Sequence, residues 1–160
     1  MSASTMTRLV LDDLREALGL LRGSHQALAA PPSRAAQAFG AVGLFGFART
    51  RSDVRNGQGR AAFGDNLDRA REHVRTSLTA LHDLQSAHGG RPVVAALLAQ
   101  LDPLGLDGLV AALQQDAVPK DSRLAAEYLE PVLARMRVFE KYLVAAQQQL
   151  LQESVSRPED

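Results

Sequence analysis

Apolar residues recur along this chain in alternating steps of three and four. The longest run without a miss is Leu129, Val132, Met136, Phe139, Leu143, Ala146 and Leu150. Such spacing places one stripe along a helix and is the signature of a rod packed lengthwise on other rods. Leu11, Leu14, Leu18, Leu21, His25 and Leu28 repeat the pattern near the N-terminus, with His25 at a core position. A third seam runs through Phe63, Leu67, Ala70, Val74, Ser77 or Leu78, Leu81, Leu84 and His88.

Punctuation between these stripes sets the expected elements. A first helix runs from about Thr5 to Ala29 and stops at Pro31-Pro32. Gly19, Gly23 and Ala27 form a small-residue ridge that suits a close helix contact. Ser52 to Gly59, with Asn56-Gly57 as turn signal, reads as a loop. A further helix starts at Arg60 or at Asp65 and ends at Gly89-Gly90. Pro92 opens a short helix to Leu101. Asp102-Pro103 begins a second one, about Leu104 to Gln115. Asp121 or Ser122 caps the last helix, which runs to about Glu153 with a kink or restart expected at Pro131. The predicted fold is all-α: an antiparallel bundle of about four main helices, with a short helical hairpin (about 92–116) before the last. Residues 1–160 form one domain with ends that fray at 1–4 and 154–160.

The stretch Ala35 to Ala48 breaks the amphipathic pattern. It is apolar on every side and carries Gly40, Gly43 and Gly46 at every third position. A helix apolar all round is either buried or meets lipid or a partner. Burial, completed if need be by a second subunit, is one reading. The other is contact with a partner, small molecule or membrane surface through Phe39, Val42, Phe45 and Phe47. Fourteen residues are too few for a bilayer-spanning helix, which takes roughly 20.

Composition narrows the function classes. Leucine and alanine dominate while aromatics are 4%, which favours helix and argues against a β-sandwich. Eighteen basic residues balance eighteen acidic ones, so the chain as a whole is not a basic nucleic-acid binder. Only Lys120 and Lys141 are lysines, every other basic residue being arginine; with the alanine content this points to a GC-rich bacterial coding sequence. The absence of cysteine excludes disulfides and thiol chemistry and fits a cytoplasmic location. Asp12, Asp13, Arg15 and Glu16 occupy the place of a signal peptide's apolar core.

Candidate chemistry is sparse. None of the four histidines has a carboxylate three residues before it, and no two are spaced i, i+4, so no metal site is assigned. Ser24-His25 and Ser77 near His73 are adjacent without a nucleophile-elbow motif. Gly57-Gln58-Gly59-Arg60-Ala61-Ala62 matches a dinucleotide-binding pattern in letters, but no strand is expected before it. No catalytic residue and no cofactor is assigned.

Arg49, Arg51, Arg55 and Arg60 stand out as a candidate anion site, opposed locally only by Asp53. Guanidinium groups suit phosphate or carboxylate. Farther on, Arg69, Arg71 and Arg75 have Asp65, Asp68 and Glu72 within helical pairing distance. The leading expectation is a non-enzymatic interaction module that self-associates or binds a protein through apolar helix surface, either Phe39, Phe45 and Phe47 or the last helix. Anion or nucleic-acid binding through residues 49–60 is the alternative.

Overall fold

In a computed structural model of the chain, the backbone is described for residues 1–29 and 45–157, and side chains for 1–29 and 62–157. Five α-helices account for most of it: α1 (Ala3–Ala29), α2 (Phe45–His88), α3 (Pro92–Leu101), α4 (Asp107–Ala112) and α5 (Ser122–Ser156). A 3₁₀ turn, Asp102–Leu104, joins α3 to α4. No strand occurs among the described residues, and the predicted all-α bundle is the fold.

Cross-helix contacts give the direction of each rod. Asn66 meets Ser24, His73 meets Asp13 and Ser77 meets Val10, so α2 runs antiparallel to α1. Arg15 lies beside Glu140 and His25 beside Glu130, so α5 is also antiparallel to α1. Arg91 reaches Glu153 just before α3, and Tyr128 reaches the Ala112 carbonyl at the end of α4. The α3–α4 unit therefore descends along α5 in the opposite sense. Its two helices follow one another end to end, and together they form a broken fourth rod. α1 packs on both α2 and α5, and the broken rod packs on the same two helices. The four rods close a square with antiparallel neighbours on every side.

The buried face of each rod follows the spacing read from the sequence. On α5, all seven residues of the Leu129–Leu150 stripe are buried. On α1, Leu11, Leu14, Leu18 and Leu21 are buried, while His25 and Leu28 are half-buried near the end. On α2, Leu67, Ala70, Val74, Ser77, Leu81 and Leu84 form the inner line, with Leu78 beside it. Among the described residues the three buried hydroxyls are paired: Thr7 Oγ1 donates to the Ala3 carbonyl, Ser24 Oγ to Leu20 and Ser77 Oγ to Val10. A buried hydroxyl without such a bond would carry a desolvation cost.

Several boundaries differ from the sequence expectation. α1 starts at Ala3 because Ser2 Oγ accepts the Thr5 amide at 3.1 Å, an N-terminal cap. Ser52–Gly59 is not a loop: α2 runs through it from Phe45, and neither Arg60 nor Asp65 starts a helix. No proline interrupts Phe45–His88. Asn and Gly only weaken a helix, by about 1 kcal/mol at most per residue, whereas proline removes a hydrogen bond. Extension of an existing helix then prevails over a local turn signal.

α4 is shorter than the expected Leu104–Gln115, because Gly105 adopts a left-handed conformation (φ 59°) that ends the preceding turn. α5 passes through Pro131 without a restart. Pro131 and Glu127 are both exposed, so the carbonyl deprived of its partner faces water. Asp121 caps this helix, its Oδ1 accepting from the Arg123 and Leu124 amides.

The Gly19–Gly23 ridge does not receive a close helix among the described residues. Both glycines are exposed, and a Cβ on either would meet nothing within 4 Å. Alanine there keeps the helix and restricts the unfolded chain, so Gly19→Ala and Gly23→Ala should each stabilise by about 0.5–1 kcal/mol. Urea titration of the double variant checks this; a loss of stability would mean that a packing contact had been disrupted.

The stop at Gly89 behaves oppositely. A Cβ at that position would collide with the Gln85 carbonyl oxygen, a backbone atom that cannot move aside alone. Gly89→Ala should destabilise by about 1–3 kcal/mol, in the range of substitutions that force an added carbon into occupied space. Gly90, with nothing within 4 Å of its would-be Cβ, is the control. Thermal melts of the two variants separate steric conflict from a general need for glycine at this turn.

Candidate functional site

Of the candidate contact residues, Phe39 and Val42 lie outside the described residues. Phe45 and Phe47 belong to the first turn of α2, as Arg49, Arg51, Arg55 and Arg60 belong to the turns that follow. For these six, the description stops at the backbone. A helix turns about 100° per residue. Positions 49 and 60 are then about 20° apart around the axis and positions 51 and 55 about 40° apart, the two pairs on opposite sides. The arginines thus sit at two registers of one rod, where a loop would have allowed all four to converge.

This part of α2 also reaches past the end of α1. Asn66 is level with Ser24, and α1 ends at Ala29, about 8 Å farther along at 1.5 Å per residue. Phe45 lies about 31 Å from Asn66 along α2 by the same measure. The N-terminal turns of α2 therefore extend roughly 20 Å beyond α1.

Downstream, the arginines expected to pair along the helix do so in two cases. Arg71 Nη2 lies 3.1 Å from Asp68, and Arg75 Nη1 lies 2.6 Å from Glu72. Asp68 also accepts from Gln115 Nε2 at 2.9 Å, and the same amide reaches the Gly64 carbonyl at 3.2 Å. These groups tie α2 to the segment after α4.

Two histidines tie helix to helix, and a third meets the N-terminal residue. His73 Nδ1 is 3.0 Å from Asp13 Oδ1, joining α2 to α1. His25 Nε2 is 3.7 Å from Glu130 Oε1, joining α1 to α5. His88 Nε2 donates to the Met1 carbonyl at 2.9 Å. Partly exposed pairs of this kind contribute about 0–1 kcal/mol each and act more on register than on stability. The Ser24 and Ser77 protons both go to backbone carbonyls, so neither hydroxyl faces a histidine base. Among the described residues, no three His, Asp or Glu side chains gather as a metal-holding group. The glycine pattern at residues 57–62 lies inside α2, with no strand before it among the described residues.

Two surface features were not legible in the sequence. A shallow groove of about 240 Å³ lies between α3 and α5, floored by Leu97 and Ala146 and edged by Gln100, Lys141 and Tyr142. Ala96 of α3 and Ala145 and Ala146 of α5 are among its lining residues, and nothing in one stripe alone announces which alanines will share a groove. The second is the distribution of exposed apolar side chains on α5: Leu124, Val138, Leu151 and Val155. Their positions spread around the axis and over most of the helix length, so they form no stripe. Single exposed apolar residues are normal on a protein surface.

No helix among the described residues is long and apolar enough to cross a membrane. Comparison with protein-family models, curated proteins and solved structures finds no match for this chain.

Proposed function

We propose that this protein is a non-enzymatic helical interaction module, working in the cytoplasm, that self-associates or binds a protein partner through the apolar segment 35–48. One observation supports the reading: among the described residues, α1, α2, the α3–α4 rod and α5 bury their amphipathic stripes against one another. The Ala35–Ala48 stretch, with Phe39, Val42, Phe45 and Phe47, carries more apolar residues than the single buried stripe of such a rod uses. The scattered apolar residues of α5 favour this segment over the last helix as the contact. Interfaces are commonly anchored by aromatic side chains, and three of the five phenylalanines lie here.

The test compares the wild type with a Phe39→Ser, Phe45→Ser, Phe47→Ser variant by sedimentation and by binding of an apolar dye. The expected wild type is larger than a monomer or carries dye-accessible apolar surface. The variant should be a monomer with low dye binding and unchanged helix content by circular dichroism. A clean wild-type monomer that binds no dye would overturn the proposal. Loss of helix content in the variant would show that the phenylalanines belong to the protein's own core, and would also overturn it. Salt-sensitive binding of a polyanion, lost on Arg51→Gln and Arg55→Gln, would instead support an anion site on α2.

A further inference from the structure

We draw no further inference here: the strongest candidate, the open groove between α3 and α5 beside Lys141 and Tyr142, is a helix–helix crease and nothing in the structure shows what covers it.

Discussion

Replacing Phe139 by alanine should lower the free energy of unfolding by about 3–5 kcal/mol, the range for truncating a buried aromatic. Phe139 is the largest of the fully buried side chains and lies mid-stripe on α5. The aromatic ring leaves a void that its neighbours fill only in part, because those neighbours belong to different rods and each is held by its own helix. Lost transfer free energy and residual cavity then add. A shift of about 2–4 °C in Tm per kcal/mol for a domain of this size makes the loss readily measurable by thermal melt. Leu124→Ala, on the same helix but 52% exposed, should change stability by about 0.5 kcal/mol or less. Equal effects at the two positions would contradict the orientation of α5.

Leu109→Ala should be nearly as costly, at about 2–5 kcal/mol, and its effect should be uneven in space. α4 has only six residues, and Leu109 is its single buried side chain. A helix of that length has no stability of its own, since nucleation costs more than so few hydrogen bonds return. Its docking depends on Leu109, assisted by the bond from Tyr128 to Ala112. Amide protons of 107–113 should therefore exchange much faster in the variant, while those of Leu129–Leu143 keep their relative protection. Hydrogen exchange read residue by residue distinguishes the cases. A uniform loss of protection across all rods would show that α4 does not open separately from the bundle.

The contrast between these residues indicates what local spacing can and cannot reveal. Phe139 was legible as core because it sits in an uninterrupted 3–4 stripe, and burial on a helix repeats with the helix period. His25 and Leu28 belong to an equally regular stripe but are half-buried. They lie near the end of a rod, where the regular spacing continues and full burial does not. Gly19 and Gly23 suggested a close crossing, yet both are exposed. The ridge they form was readable, and the position of a neighbour to use it was not.

The candidate site was less legible than the fold. Arg49, Arg51, Arg55 and Arg60 form a cluster if the chain turns at Asn56-Gly57, and two separate pairs if it stays helical. That choice weighs a weak local turn preference against continuation of a 44-residue helix. Asn66, Asp13 and Glu130 carried no signal at all, because each meets its partner only across a helix interface.

By itself, then, the sequence determined the helical class, the inward face of three long rods, the stop at Gly89, the start at Pro92 and a cap at Asp121 or Ser122. All of these depend on residues within a turn or two of one another. The tertiary structure alone decided that α2 stays helical through 52–59, that the 92–116 segment forms one broken rod, and which histidine meets which carboxylate. Those outcomes depend on the relative register of separate helices, set by the summed packing of their buried faces. No single stretch of the chain contains that sum.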